Sequence, residues 1–394
     1  MASDWLEVYK LLLGVDVFLS EDLWRRYSDK RIAVMTNISG VTSDLSYTVE
    51  ELMRRGLRVE GVISAEHGFW TTATAGEIVE HYNDDYLGRP VYSLYRADLS
   101  SVRDFLRDID VVIIDMQDLG LRYYTYISAV IDLIDLASEI GGLEIVILDR
   151  PNPLGGVVVE GGLPKERFYS YVSRYSIPIR YGATLGEISM LYSYENKRDV
   201  DVKVIPVRGW RRDLDILDLE FQWVPPSPAI PTPDTVYSYA ITVYLEPTNI
   251  SEGRGTYTPF KVLGAPFIDP KRLADELNKR TDSSVIRFRP AKFKPSFSKY
   301  AGEICGGVFI HVIDRRKLRT VETGLVILRT LYELYNDKIV FYRSGDMYGI
   351  DRLFGDDKAR SVIVGELSIE EYLREVEEEI ANFIERIDHF KIYR

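Results

Sequence analysis

Apolar runs and helical patterns alternate through the first half of the chain. Five short stretches are almost wholly apolar or β-branched, which is typical of strands buried on both faces. These stretches are residues 31–37, 57–64, 110–115, 144–149 and 202–207. Between them, apolar residues recur at helical spacing in residues 46–55, 100–107 and 124–140. This alternation predicts an α/β fold with a Rossmann-like parallel sheet covered by helices on both faces.

A proline-rich segment separates this half from the second. Residues 223–235 read WVPPSPAIPTPDT, and five prolines there exclude a helix or a central strand. We therefore expect a catalytic Rossmann-like domain at residues 1–225 and a smaller α+β domain at residues 226–394 that completes the cleft. The pattern in the second half predicts strands at residues 236–245, 285–290 and 308–312, helices at 270–280 and 323–335, and a last helix at 368–389 opened by a Ser368–Glu371 capping box.

The N-terminal stretch, residues 1–19, is apolar but has no basic residues before it. Its charged residues fall at helical spacing, which favours an amphipathic helix over a signal peptide. No window reaches the roughly 18 uninterrupted apolar residues that a membrane span needs. We therefore expect a cytoplasmic protein that has no membrane partner.

The acidic composition narrows the possible partners further. The 394 residues include 49 Lys and Arg against 61 Asp and Glu, which gives a formal charge of −12. Proteins that bind a duplex usually carry a basic face, so we expect no nucleic-acid partner. Cys305 is the only cysteine, which excludes an internal disulfide and any cysteine-based zinc cluster.

Several common cofactor and nucleophile motifs are missing from the sequence. TNISGVTSD follows the first strand where a dinucleotide-binding protein has G-x-G-x-x-G, and there is no P-loop, H-E-x-x-H or G-x-S-x-G motif. The four histidines are scattered, without metal-ligand spacing. We therefore expect no metal and no nucleotide cofactor, although a nucleotide-binding Rossmann protein stays open as an alternative.

Polar residues follow the predicted strands at their carboxyl ends. In open parallel sheets this edge is where ligands bind, so we expect these side chains to converge on one site. The candidates from the strand ends are Asn37, Glu66, His67, Asp115, Gln117, Asp118, Arg150 and Asn152.

Other candidates lie in loops that combine carboxylates, arginines and tyrosines. Aromatic faces and carboxylates suit a polyhydroxylated substrate, and cleavage of a glycosidic bond commonly needs a pair of carboxyl groups. An arginine beside them would bind a substrate carboxylate with two parallel hydrogen bonds. The loop candidates are Arg122, Tyr124, Asn249, Glu252, Arg254 and Glu303.

Long segments of the chain resemble the family of exo-β-N-acetylmuramidases, which was long labelled a domain of unknown function. The segments that carry the resemblance include TNISGVTSD, SAEHGF, IIDMQDLGLRYYTYIS, ILDRPNPLGG, WVPPSPAIPTPDT, EPTNISEGRGTYTPF and SFSKYAGEICGGVFIHV. The resemblance implies an active site in a cleft between two domains and no cofactor. It also implies that Glu66 is a catalytic acid, and we expect Asp118 or Glu252 as the second carboxylate and Tyr124 and Arg254 as substrate contacts.

The resulting hypothesis is a glycoside hydrolase that acts on a small carbohydrate. It would release a terminal amino sugar like N-acetylmuramic acid from the non-reducing end of peptidoglycan-derived or related glycosides. A non-catalytic protein that binds amino sugars or muropeptides is an alternative from another class, and it would bind the ligand without turnover.

Overall fold

The structure is a computed structural model that describes residues 11–220 and 222–394. Most of the helix expected at residues 1–19 lies outside the described residues. The described part of that stretch contains helix α1 (Gly14–Ser20).

A seven-stranded sheet forms the centre of the first half, as the apolar runs predict. Its strand order is β3-β4-β2-β1-β5-β6-β7, and every neighbouring pair is parallel except β3 and β4. The strands are β1 (Arg31–Thr36), β2 (Arg58–Ser64), β3 (Tyr82–Asp84), β4 (Arg89–Ser93), β5 (Val111–Asp115), β6 (Glu144–Leu148) and β7 (Asp201–Ile205). The sequence pattern missed the β3–β4 hairpin, because its strands are short and only partly buried.

Alternate side chains of the central strands enter two different hydrophobic clusters. Ile32 and Val34 of β1 pack on one face of the sheet, whereas Ala33 and Met35 pack on the other. Besides α1, the α-helices of this half are α2 (Thr48–Arg54), α3 (Leu99–Leu106), α4 (Tyr126–Ile140) and α5 (Leu185–Glu195). The α/β class is therefore confirmed.

The second half is α+β, also as expected. Its antiparallel sheet has the order β8-β10-β9, and helix α7 packs against β9 and β10. The strands are β8 (Val262–Ala265), β9 (Ile286–Phe293), β10 (Cys305–Val312) and the hairpin β11 (Arg343–Ser344) with β12 (Met347–Tyr348). The helices are α6 (Thr235–Thr242), α7 (Pro270–Arg280), α8 (Thr320–Tyr335), α9 (Gly349–Phe354), α10 (Lys358–Val364), α11 (Ile369–Glu375) and α12 (Glu377–Asp388).

Two sequence predictions in this half were wrong in detail. Residues 236–245 form α6 and a 3₁₀ turn (Val243–Leu245) rather than a strand. All eight residues of α6 are buried, so the helix shows no polar face that would reveal its period. The capping box at Ser368 is present, but the last helix is split at Val376 into α11 and α12.

The two halves share one continuous core. The larger hydrophobic cluster contains β5 and α4 of the first half together with α6, α8 and α10 of the second. Within the described residues, none of the helices has the length and apolar character that crossing a membrane would require. The shared core places α6 next to the carboxyl edge of the sheet, where the site lies.

Candidate active site

A cavity of about 280 Å³ opens beside the carboxyl end of β2. Its walls come from the loop after β2, the segment before α4, the proline-rich connector, α6 and the loop that follows α6. The polar and aromatic side chains that line it include Glu66, His67, Tyr95, Tyr124, Thr125, Ser227, Tyr239, Glu246 and Arg254. Four predicted site residues therefore meet here: Glu66, His67, Tyr124 and Arg254.

Glu66 is held from two elements. A sharp turn follows β2, in which His67 and Gly68 both have a φ of 75°. This left-handed backbone is costly for any residue except glycine. Oε1 of Glu66 accepts a hydrogen bond from the backbone N–H of Gly76, and Oε2 accepts one from Oγ1 of Thr125, each at 2.7 Å. The carboxylate is therefore fixed in position although it borders the cavity.

His67 is neutral at the wall of the cavity. Its Nδ1 lies 2.8 Å from the carbonyl oxygen of Ala73, and because that oxygen only accepts, Nδ1 carries the proton. Burial lowers the pKa of His67, and the nearby charge of Glu66 only partly opposes this shift. Nε2 is therefore available as a hydrogen-bond acceptor for a ligand.

An ion-pair chain forms the opposite wall. Arg254 Nη2 lies 2.6 Å from Oε1 of Glu246 and its Nε lies 3.4 Å from Oε1 of Glu252. Lys299 Nζ in turn lies 2.8 Å from Oε2 of Glu252. Burial opposes the charge of Arg254, but the two glutamates outweigh this effect and raise its pKa. Of the four residues joined by these ion pairs, only Glu246 and Arg254 line the cavity.

Aromatic rings supply the remaining walls. The Tyr239 ring is 4.7 Å from Phe260 and 6.1 Å from Tyr124, both edge to face. Burial and the negative charge of Glu66 raise the pKa of Tyr95 to about 12, so its hydroxyl stays protonated as a donor. The cavity therefore combines flat apolar faces with hydroxyl, imidazole and carboxylate groups, the mixture that suits a sugar.

Most of the polar strand ends build a buried scaffold behind the cavity instead of lining it. Asn37 donates through Nδ2 to Tyr126 Oη at 2.7 Å and to the carbonyl of Pro226 at 3.1 Å. Gln117 donates through Nε2 to the carbonyl of Pro151, and Asn152 through Nδ2 to that of Ala183. These amides fix the loops at the sheet edge, so the expected convergence on one site is met only by the end of β2.

Two arginines expected to bind substrate are engaged elsewhere. Arg150 pairs with Asp115 through Nε and Nη2 at 2.6 and 3.0 Å, and both side chains are buried. All three nitrogens of Arg122 donate in the interior. Their acceptors are the carbonyls of Gly162, Ile177, Leu353 and Phe354 and Oγ of Ser173. Neither guanidinium reaches the cavity, because backbone carbonyls hold Arg122 and the Asp115 carboxylate holds Arg150 in the interior. Asp115 is kept away from the cavity by the same pair with Arg150.

The two expected second carboxylates also lie off the cavity. Asp118 is buried and accepts hydrogen bonds from Tyr181 Oη and the Gly120 N–H. Burial raises the pKa of Asp118 to about 6. Glu252 is only 2% exposed, and it stands behind Arg254.

The last two candidates are at the periphery. Asn249 bonds the backbone of Lys338 and Val340, and Glu303 is exposed. Sequence reasoning missed Tyr95, Thr125, Tyr239 and Glu246. Glu246 carried the same signal as Glu66, since it directly follows an apolar run, whereas nothing in the pattern separates Tyr239 from the other tyrosines.

Among the described residues, no group of three His, Cys, Asp or Glu side chains could hold a metal ion. A Rossmann-like domain with a fixed carboxylate at its sheet edge, closed by a second α+β domain with an aromatic wall, offers the carboxylate and the flat apolar faces that a glycoside hydrolase uses.

Comparisons with known proteins give the family. Models described as exo-beta-N-acetylmuramidase NamZ, N-terminal and C-terminal, match residues 32–234 and 237–393. The peptidoglycan beta-N-acetylmuramidase NamZ of Bacillus subtilis (strain 168) is 36% identical over 385 residues, which cover 98% of this chain and 92% of that protein. The chain therefore belongs to the NamZ family of exo-β-N-acetylmuramidases, and the resemblance seen in the sequence is confirmed.

Solved structures agree with this assignment. Crystal structures of two DUF1343 family proteins from Bacteroides fragilis NCTC 9343 match with TM-scores of 0.86 and 0.74, at 28% and 25% identity. Each match covers 98% of this chain, and 100% and 99% of the respective relatives.

Proposed function

We propose that this protein removes a terminal N-acetylmuramic acid residue from the non-reducing end of peptidoglycan-derived glycosides. The observation that carries the proposal is the fixed carboxylate of Glu66 in a cavity walled by tyrosines. The Bacillus subtilis relative, which is named a peptidoglycan beta-N-acetylmuramidase, supports it. The cleft would lie between a domain of residues 1–225 and one of residues 226–394.

In this proposal Glu66 donates a proton to the leaving oxygen of the glycosidic bond. Glu246 is the second carboxylate, since it lines the same cavity and Arg254 orients it at 2.6 Å. It stabilises the oxocarbenium-like transition state or activates the attacking water. His67 Nε2 accepts a hydrogen bond from the sugar, and Tyr124 and Tyr239 contact its ring.

The test is release of 4-nitrophenol from 4-nitrophenyl N-acetylmuraminide by wild type and by Glu66→Gln. Loss of a general acid is expected to lower kcat by on the order of 10²–10⁴-fold. Glu378→Gln, a change at an exposed position of α12, is the matched control and should keep wild-type kcat. Equal rates for wild type and Glu66→Gln would exclude this role for Glu66.

The same assay separates the alternatives. A wild-type protein that binds the muraminide in calorimetry without turnover would be a sugar-binding protein.

The lone cysteine, Cys305, is buried and leaves no disulfide to form, which supports a cytoplasmic location as part of the proposal. Imported peptidoglycan fragments would then be the substrate.

A further inference from the structure

The antiparallel sheet of the second half carries positive charge and no carboxylate. Its three strands, β8, β9 and β10, contain two arginines, one lysine and one histidine but no Asp or Glu. The acid-free stretch continues beyond the sheet, because residues 283–302 include five Lys and Arg and no Asp or Glu. In a chain with a formal charge of −12, this region has the opposite sign to the whole.

Arg287, Arg289, Lys292 and Lys294 form a basic strip along β9 and its end. All four are exposed, and within the part of the chain that the structure describes none of them forms an ion pair. At about 3.3 Å per residue, the basic strip is roughly 23 Å long. Its charge is therefore available to a long partner that carries several negative groups.

Two half-buried rings lie beside the arginines on the exposed face of β9 and β10. Arg289 is opposite Phe309 in the antiparallel register, and the next pair on the same face is Arg287 with His311. Cζ of Arg289 is 5.4 Å from the centre of the Phe309 ring, and the Phe309 and His311 rings are 4.9 Å apart. Because flat rings contact sugars and a guanidinium binds a carboxylate, this face suits an acidic sugar.

The outer edge of β9 is closed to pairing with another strand. β9 is the last strand of its sheet, and the N–H and C=O of Phe288 bond the side chain of Asn278 at 3.0 and 2.7 Å. The backbone of Pro290, two residues further on, faces the same edge and has no N–H to donate. An added peptide or a second copy of the chain therefore finds no free ladder here, and the basic strip acts through its side chains.

The chain runs directly from the basic strip to the wall of the catalytic cavity. Lys294 lies two residues before Ser296, whose N–H and Oγ both donate to the carbonyl of Gly255 at 2.8 Å. Gly255 follows Arg254, whose side chain lines the cavity. The basic strip therefore begins next to the loop that forms the Arg254 wall.

We propose that the basic strip binds the anionic glycan strand of the substrate beyond the sugar that occupies the cavity. The inference rests on the proposed function, which places the terminal muramic acid beside Glu66. Each further muramic acid residue along the strand brings a carboxylate, which Arg287 and Arg289 bind while the rings beside them contact the sugars. An acidic protein repels an anionic strand overall, so the basic strip supplies the local attraction.

The experiment compares a long and a short substrate. Release of the terminal sugar from peptide-free glycan strands is measured beside cleavage of 4-nitrophenyl N-acetylmuraminide, which is too short to reach β9. For Arg287→Gln/Arg289→Gln we expect KM for the strands to rise roughly three- to tenfold, the effect of losing two exposed ion pairs. The kcat on the strands and both constants for the short substrate should stay at wild-type values. Added salt should reduce the difference in KM.

Lys292→Gln/Lys294→Gln is a second strip variant that leaves the contact of Arg289 with Phe309 intact. It should raise KM for the strands several-fold and tests the basic strip even if the first variant is unstable. The matched control is Arg26→Gln/Arg374→Gln, which removes two exposed arginines elsewhere and changes the net charge equally. The control should keep the wild-type KM for both substrates.

A binding measurement separates the basic strip from the proposed function. Oligogalacturonate carries a carboxylate on every sugar and contains no muramic acid, so calorimetric titration with it needs no turnover. We expect saturable binding to wild type and weaker binding to both strip variants. If wild type cleaved neither muraminide but bound oligogalacturonate in this way, the proposed function would fail and the basic strip would stand as a surface for anionic glycans.

Three results would overturn the inference. The first is an unchanged KM for the strands in both strip variants, and the second is an equal rise in KM for the short substrate. The third is oligogalacturonate binding that is absent in wild type or is the same in wild type and strip variants.

Discussion

Oγ1 of Thr125 donates a hydrogen bond of 2.7 Å to Oε2 of Glu66. Thr125 immediately precedes α4, whereas Glu66 follows β2, so the contact joins two elements that are far apart in the chain. The Gly76 N–H holds the other carboxylate oxygen. The orientation of the Glu66 carboxylate is therefore set by the residue before α4 and by the loop that follows β2.

Replacing Thr125 by Val removes this donor and keeps the side-chain shape. Because Glu66 then loses one of its two fixed contacts, we expect kcat to fall by roughly 10–100-fold, in line with the cost of small misplacements of catalytic groups. Thr125→Ser keeps the hydroxyl and should retain most of the activity. The rates are measured with the nitrophenyl muraminide. A fully active Val variant would show that the contact does not position Glu66.

Glu246→Gln tests which carboxylate assists Glu66. Glu246 lines the cavity and Glu252 does not, so we expect kcat to fall by on the order of 10²–10⁴-fold in Glu246→Gln. In Glu252→Gln, Arg254 and Lys299 lose a shared partner, and we expect a lower Tm with a smaller loss of kcat. The reverse order of the two kcat losses would instead support Glu252, one of the two residues that the sequence suggested.

Asp118 should make the free energy of unfolding depend on pH. Burial raises its pKa from the usual 3.8 to about 6. Between these values the folded state binds more protons than the unfolded state, so the free energy of unfolding falls as pH rises. The contribution of Asp118 to the free energy of unfolding is therefore complete below pH ~4. It falls by about 1.4 kcal/mol per pH unit between the two pKa values and is lost above pH ~6.

Urea unfolding of wild type and Asp118→Asn at pH 4, 5, 6 and 7 measures this contribution. The difference between the two proteins should change over that range, because only the wild type titrates at position 118. Burial also raises the pKa of Asp149 to about 6. Because Asp149 is present in both proteins, its contribution cancels in the difference between them. Parallel pH profiles would contradict the assignment.

Arg122→Met should destabilise the fold rather than disturb catalysis directly. The change leaves four buried carbonyl oxygens without their donor, and we expect a loss of about 3–5 kcal/mol in the free energy of unfolding. Arg167→Met removes an exposed ion pair with Asp357 and should cost under about 1 kcal/mol. Similar losses in the two variants would argue against a structural role for Arg122.

The sequence predicted the sheet and Glu66 because both depend on local pattern. Buried parallel strands are apolar throughout, and Glu66 stands where one of them ends. Arg122 and Arg150 could not be placed in this way, since their acceptors are distant in sequence, up to Leu353 and Phe354 for Arg122. A polar residue at a sheet edge has the same signature whether it faces a ligand or a backbone carbonyl.

The wholly buried helix α6 marks the other limit of sequence reasoning. Most of its residues are β-branched or aromatic, which suits a strand, and only tertiary packing on both sides decides the helix. Tyr239 and the position of the following Glu246 depend on that packing, so this wall of the cleft was not visible in the sequence.

The continuous core across the two halves has a consequence for how the molecule comes apart. Arg122 of the first half donates to Leu353 and Phe354 of the second, and one hydrophobic cluster includes side chains from both. Neither half can be released without exposing apolar surface and breaking these contacts. Cut at the proline-rich connector, the chain would therefore yield two fragments that need each other to stay folded.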